Sequence, residues 1–349
     1  INDFNPAEEL AVTNSRVDGL EARMNNIEAG SFSETTTASF SADFVVGAVD
    51  GSSTSEATTF DYQFGMDLST SFTGEDSLAL TIETGNAASP TSTALNMNGM
   101  SDTMTLDGIS YTFPLGDKTT VMVGDSTDVS ALYSTSCVYS AFTDLLGNCG
   151  SGTAAGLGGG SDFTASPNSS SSATVAAAYD FGNGFTVAGG LSGAGGDTDG
   201  VFTKESKDVF GVQAAYNTDT YGVSVSYANT DTTTTTESAF WGINAFYDFE
   251  GSGLPSVSVG FESEDPEATA TEEGYFVGLT WDEVGPGSVS VGIASNENFT
   301  SSEDETYTYE ASYTYPINDG MTITPGVFIK EVNNADDETG LIVKTSFSF

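Results

Sequence analysis

The side chains that could move protons, bind metals or attack carbonyls are unevenly represented in this chain. Its 349 residues include no histidine, 50 Asp plus Glu and only 7 Lys plus Arg, for a net charge of −43. Without imidazole, histidine-based acid–base work, Ser-His-Asp triads and the common metal sites are excluded. Carboxylates are so numerous that close pairs are expected by chance. The run Gly156-Leu157-Gly158-Gly159-Gly160 does not open a helix with Gly-Lys-Ser/Thr, so it is no phosphate cradle. Asp197-Thr198-Asp199-Gly200 lacks the rest of an EF-hand loop. The chain therefore reads as a non-enzyme with no catalytic residue, metal or cofactor. Nucleic acid is a poor partner for so acidic a chain. Acidity at this level also suits a protein kept soluble in high salt.

Cys137 and Cys149 lie close together in one loop and are expected to close a small disulfide ring. In the chain-entropy model such a ring contributes roughly 3 kcal/mol. Oxidation of this kind belongs to the periplasm or the cell exterior. Two cysteines without histidine do not make a zinc site.

What remains is the chemistry of charged groups held along a surface, and this requires elements that sort side chains by face. The last residues alternate: Leu341, Val343, Thr345, Phe347 and Phe349 on one face, Ile342, Lys344, Ser346 and Ser348 on the other. Phe60, Tyr62, Phe64, Met66 and Leu68 likewise oppose Asp61, Gln63, Gly65, Asp67 and Ser69. Such a period of two marks half-buried strands. Sixteen such segments are read at 37–49, 58–72, 77–86, 102–115, 119–125, 172–180, 185–193, 207–217, 221–229, 238–249, 256–263, 273–282, 288–295, 305–317, 321–331 and 338–349. Gly108 shifts the phase of the fourth and suggests a bulge.

The connections alternate too. Short turns such as Gly116-Asp117-Lys118, Gly182-Asn183-Gly184 and Asn318-Asp319-Gly320 are followed by long polar stretches near 50–57, 87–101, 126–171, 195–206, 230–237, 264–272, 296–304 and 332–337. No stretch of about 20 apolar residues occurs, so no transmembrane helix is expected. Hydrophobic content, 38%, is low for a soluble core but suits a wall that is apolar on its outer face only. Phe72, Tyr111, Phe113, Tyr179, Phe185, Tyr216, Tyr221, Tyr247, Phe249 and Trp281 gather at strand ends beside the short turns, as an interfacial girdle does. These features predict an all-β transmembrane barrel of about sixteen antiparallel strands spanning 32–349 in an outer membrane. An even strand count puts both termini on the periplasmic side.

In that barrel the inward positions carry Asp43, Asp61, Asp67, Glu83, Asp180, Asp248, Glu262 and Glu310 against Lys330 and Lys344. The two lysines, on the last two strands, are expected to form a positive patch on one wall. Acidic rings favour cations, so a weak cation preference is expected. The 126–171 loop is far longer than an ordinary hairpin connection. Its first half is too apolar to float in water and is expected to fold inward as a constriction, with Asp128 and Asp144 near the narrow point. The competing reading is a surface loop packed on its neighbours.

Before the barrel, Leu10, Val17 and Met24 recur every seven residues, as do Thr13, Leu20 and Ile27, and Gly30 ends the pattern. Residues 1–31 are expected to form a short coiled-coil helix that self-associates. The chain opens at Ile1 without a cleavable signal and is expected to be a processed or trimmed form.

The segment Phe4-Asn5-Pro6-Ala7-Glu8-Glu9-Leu10, continuing through Arg16-Val17-Asp18-Gly19-Leu20-Glu21-Ala22-Arg23 to Ile27-Glu28-Ala29, resembles the linker of cyanobacterial major outer-membrane porins. Phe32-Ser33-Glu34-Thr35-Thr36-Thr37, Gly108-Ile109-Ser110-Tyr111-Thr112-Phe113-Pro114-Leu115 and the terminal Phe349 are similar to the same family, a relative of the carbohydrate-selective OprB-like porins. The resemblance implies a homotrimer joined through barrel walls and coiled coil, embedded in outer-membrane lipid and passing inorganic ions, iron among them, or small solutes. It also implies that peptidoglycan or cell-wall polymer is bound only through an N-terminal domain that this sequence lacks. The absence of arginine from the barrel departs from the sugar-selective relatives. A surface-exposed structural or adhesin-type β protein is the alternative. It would share the alternation but would not need outward faces free of charge.

Overall fold

The computed structural model describes residues 35–51, 56–134, 136–146, 172–194, 200, 203, 207–233, 236–249, 251–267, 270–295 and 305–349. Sixteen strands, each antiparallel to its neighbours, form a closed barrel in which β1 (Thr36–Asp50) pairs with both β2 (Thr59–Thr70) and β16 (Glu338–Ser348). Between them run β3 (Ser77–Gly85), β4 (Thr105–Pro114), β5 (Thr119–Asp125), β6 (Ser172–Asp180), β7 (Phe185–Ala194), β8 (Asp208–Asn217) and β9 (Tyr221–Thr233). The rest of the wall is β10 (Thr236–Tyr247), β11 (Ser256–Pro266), β12 (Glu272–Val284), β13 (Gly287–Ser295), β14 (Tyr307–Asn318) and β15 (Met321–Lys330). Closure gives each described strand a hydrogen-bonded neighbour on both sides, so the wall has no edge strand. The terminal Phe349 completes it: its N–H donates to the Phe40 carbonyl at 3.0 Å, and the Phe40 N–H returns a bond at 2.8 Å.

The alternation read from the sequence becomes two surfaces. Phe44, Val46, Phe60, Val212, Trp241, Val327 and Leu341 all lie on the outward rows and are exposed. At the short-turn rim the outward rings touch one another. The contacts include Phe72–Tyr111, Tyr179–Phe181, Tyr216–Tyr221, Tyr247–Phe249 and Phe40–Phe349. A second set, Phe210–Tyr227–Trp241 and Tyr275–Tyr307–Tyr309, sits toward the opposite rim on one side of the barrel.

The register shift between β3 and β4 falls where Gly108 breaks the pattern: Thr81 faces Gly108 and Ile82 faces Leu106, so Asp107 is the extra residue of a bulge. The bulge keeps Leu106 and Ile109 on one face although they are three residues apart.

Three expectations change. The 230–237 stretch is not a long loop, because β9 continues to Thr233 and β10 begins at Thr236. Its run of β-branched threonines favours extended backbone. The 87–101 stretch is not simply a loop: it contains a helical turn, α1 (Pro90–Ala94), started by a Ser89–Ser92 capping box with Pro90 in the first turn. Apolar residues are also not confined to the outer face. Phe240, Phe276, Phe328 and Ile342 point inward and are buried. The coiled coil expected over 1–31, Cys149, the Gly156–Gly160 run and Asp197–Asp199 lie outside the described residues.

Candidate functional site: the interior of the barrel

Two segments that leave the long-loop rim occupy the interior. The first follows β5. Thr174 donates to the Thr127 carbonyl at 2.7 Å, and the Ser134 N–H donates to Gln213 Oε1 at 2.8 Å. Further along, the Val138 N–H reaches Ser258 Oγ at 3.0 Å and the Ser140 N–H reaches Thr280 Oγ1 at 3.4 Å. The acceptors belong to the inward rows of β8, β11 and β12, so the 127–146 segment crosses the interior as a strap. Its far end meets Glu310 on β14. Tyr139 Oη–H and the Phe142 N–H donate to Oε1 at 2.7 and 2.9 Å, while the Thr143 N–H and O–H donate to Oε2 at 2.8 and 2.6 Å. Burial, then the nearby Glu310 carboxylate, pushes the Tyr139 phenol well above its ordinary range.

The strap packs as well as bonds. Val129 joins Val209, Ala228 and Phe240, and Tyr139 and Leu146 join Phe276 and Ala294. These are the inward apolar residues that the one-face argument does not explain. The strap supplies their partners and removes them from water.

The second segment is the 86–98 connection with α1. Ser89 Oγ donates to Asp61, Thr59 Oγ1 donates to Thr91 Oγ1 at 3.0 Å, and Asn98 Nδ2 donates to Glu83 Oε2 at 2.7 Å. The two segments meet where the Asp144 N–H donates to the Ala94 carbonyl at 2.9 Å. There Phe142, Ala94 and Met97 form a core with Val45, Val49, Phe328 and Ile342 of the wall.

Against this geometry the ten charged inward positions divide. Asp61, Glu262 and Glu310 are buried; Asp61 and Glu310 lie beneath the inserted segments, so these three do not face open space. Asp180 ends β6 and accepts from the Gly182 N–H at 2.7 Å, which makes it a turn cap at the short-turn rim. Asp248 sits at the same rim, just beyond β10. Asp43, Asp67 and Glu83 remain partly or fully exposed, and the first accepts from Gln63 Nε2 at 2.7 Å. The lysines do not form one patch. Lys344 faces Thr324 while Lys330 faces Glu338, six residues further along the wall, a separation of about 20 Å at strand rise. Cys137 is disulfide-bonded, and the chain's other cysteine is Cys149.

Where the strap leaves β5, the interior holds a recess of about 400 Å³ bounded by Thr81, Asp107, Ser110 and Ser126 of the wall and by Thr127 and Asp128 of the strap. Asp107, absent from the sequence-derived set, is delivered there by the bulge. It lies close enough to Asp67 and Glu83 for the three carboxylates to repel one another. Asp144 is exposed on the far end of the strap. Among the described residues no group of three or more His, Cys, Asp or Glu is arranged to hold a metal ion. No described helix is long and apolar enough to cross a membrane, a test that does not address strands.

Two signals in the sequence point to the strap's seat. Apolar triplets such as Tyr275-Phe276-Val277, Val327-Phe328-Ile329 and Leu341-Ile342-Val343 interrupt strict alternation wherever an inward residue has an apolar partner. Inward glycines such as Gly278 and Gly326 mark where a ring lies directly on the backbone. The α1 segment carries a Ser-Pro-x-Ser start signal at Ser89 that is too short to stand out.

Solved structures share this architecture. An OprB of Pseudomonas putida superposes with a TM-score of 0.67 at 13% identity, covering 90% of this chain and 94% of that one. A mutant porin of Rhodopseudomonas blastica gives 0.58 at 14% identity, covering 90% of this chain and all of that one. OmpT of Vibrio cholerae, with one loop deleted, gives 0.58 at 11% over the same shares. At these identities the likeness is one of fold. An uncharacterised protein of Nostoc sp. is 43% identical over 81 residues, which is 23% of this chain but only 14% of that protein's length. The model of the Gram-negative porins matches residues 28–337, nearly the whole wall together with both inserted segments. With a closed sixteen-strand barrel, an apolar exterior and a polar interior, the chain belongs to the Gram-negative porin family.

Proposed function

We propose that this porin is a general diffusion channel for inorganic ions and small hydrophilic solutes, with a weak preference for cations. The observation that carries the reading is the group of inward carboxylates on β2, β3 and β4. Asp67, Glu83 and Asp107 stand close together there, Asp128 of the strap lines the adjoining recess, and the barrel has no arginine. Carboxylates around a water-filled constriction lower the energy of a cation and raise that of an anion. In this reading Asp43, Asp67 and Glu83 line the pore, the strap forms the constriction, and the buried Asp61 and Glu310 hold the inserted segments. Cys137 and Cys149 close a disulfide ring. The short-turn rim and both termini face the periplasm, and residues 1–31 form a coiled-coil stalk that supports a homotrimer.

The test is planar-bilayer conductance in a salt gradient. A reversal potential of cation-selective sign is expected, and an anion-selective sign would refute the preference. The adhesin-type alternative is disfavoured by the belt of outward Val, Phe, Trp and Leu, an exposed apolar surface of the kind that marks a membrane or an interface.

A further inference from the structure

Among the inward carboxylates Glu310 has a distinct setting. It is 3% exposed, and its two oxygens accept four hydrogen bonds from a single stretch of strap, Tyr139 to Thr143. A carboxylate withdrawn from water is costly unless its lone pairs are occupied, so this position is favourable only with the strap in place. The strands around it are cut to the same shape. Barrel order runs β12, β13, β14, β15; Gly292 and Gly326 lie on the two strands that flank Glu310, and Gly278 lies on β12, one strand further. A Cβ at Gly326 would stand 2.3 Å from the Phe142 ring, and one at Gly278 would stand 2.4 Å from the Tyr139 ring. At Gly292 it would meet the Tyr139 hydroxyl at 2.5 Å. Each distance is far inside van der Waals contact, and the atoms met belong to rings packed in the interior.

The wall itself has no need of this arrangement. β14 is paired on both sides through its backbone, with β13 and with β15. Elsewhere between Ser134 and Ser140 the strap is tied to the wall by scattered hydrogen bonds to neutral side chains, at 2.7 to 3.4 Å. The attachment at Glu310 is charged and fourfold.

We propose that Glu310 and the three glycines form a dedicated seat that sets the width of the channel. Glu310 is a positioning residue: it is sealed from the solute path and acts through the strap it pins. Unseating the strap widens the lumen without dismantling the barrel. The inference rests on the channel reading above.

The test compares the full-length wild type with Glu310→Gln and Gly326→Ala. The first keeps side-chain shape but turns one acceptor into a donor that faces donors. The second leaves every charge in place and puts a methyl group where the Phe142 ring lies. Both are expected to raise single-channel conductance about twofold, since pore diameter governs passage. Both should also speed liposome swelling with a neutral disaccharide. The heat-modifiable gel shift should stay at its wild-type temperature, a readout that general destabilisation would move. If Glu310→Gln fails to fold, Gly326→Ala decides alone. Wild-type conductance in variants beside a conducting wild type overturns the seat. A wild type that passes no current overturns the channel reading, and the width inference with it.

Discussion

Two carboxylates show how neighbours decide what a side chain does. Asp107 reaches the interior recess because one residue is added to β4 there, and it stands beside Asp67 and Glu83. A unit charge about 8 Å away in water-like surroundings is worth about 0.5 kcal/mol. Asp107→Asn should therefore lower the cation-to-anion permeability ratio about twofold at low salt, with the difference shrinking as salt rises. An unchanged reversal potential would remove Asp107 from the selectivity set. Asp76 works in a turn instead. Its Oδ1 accepts from Ser71 Oγ and from Thr73 N–H and O–H at 2.8 to 2.9 Å, and its Oδ2 accepts from Tyr111 Oη–H at 2.6 Å. These bonds, the one from Tyr111 foremost, hold the carboxyl far below the ordinary carboxylate range. A depressed folded-state pKa contributes stability at neutral pH, lost only as pH falls through that low value. Asp76→Asn should thus lower the temperature of the gel-mobility shift at pH 7. The gap to wild type should narrow in strong acid, and a constant gap across that range would show that ionisation is not its source.

At the scale of elements, the outward and inward rows of each strand make a sharp contrast testable at adjacent positions. Val343 lies outward near the middle of β16, and Lys344 beside it lies inward. Val343→Arg should cost about 2–4 kcal/mol of folding stability in lipid vesicles, the range for a cation on the lipid face near the midplane. Urea unfolding followed by Trp241 and Trp281 fluorescence measures it, and a cost near zero would mean that this row does not face lipid. Strand positions were legible because alternation is a local property, readable one segment at a time. The bulge was legible for the same reason, since Gly108 disturbs the phase. The helical turn α1 was not, because five residues carry too little periodicity to be seen, and its burial depends on strands distant in sequence. The strap was legible as an apolar loop. Its path was not, because its partners Gln213, Ser258, Thr280 and Glu310 are spread over four strands far along the chain.

For the whole molecule, the ladder from β1 to β16 closes over residues 36–348. A variant lacking residues 1–31 should still fold into a heat-modifiable barrel, and migration at the unfolded position without boiling would show that those residues are needed. The sequence by itself determined the number of strands, their faces and the two kinds of rim, because a period of two exposes apolar residues to lipid whichever strands are neighbours. It also determined that the interior is acidic and poor in cations. Only the tertiary structure decided which acids meet open space. Burial of Asp61 and Glu310, the separation of Lys330 from Lys344 and the arrival of Asp107 depend on register and on two segments inserted from the rim. Those are contacts between distant residues, and local alternation does not encode them.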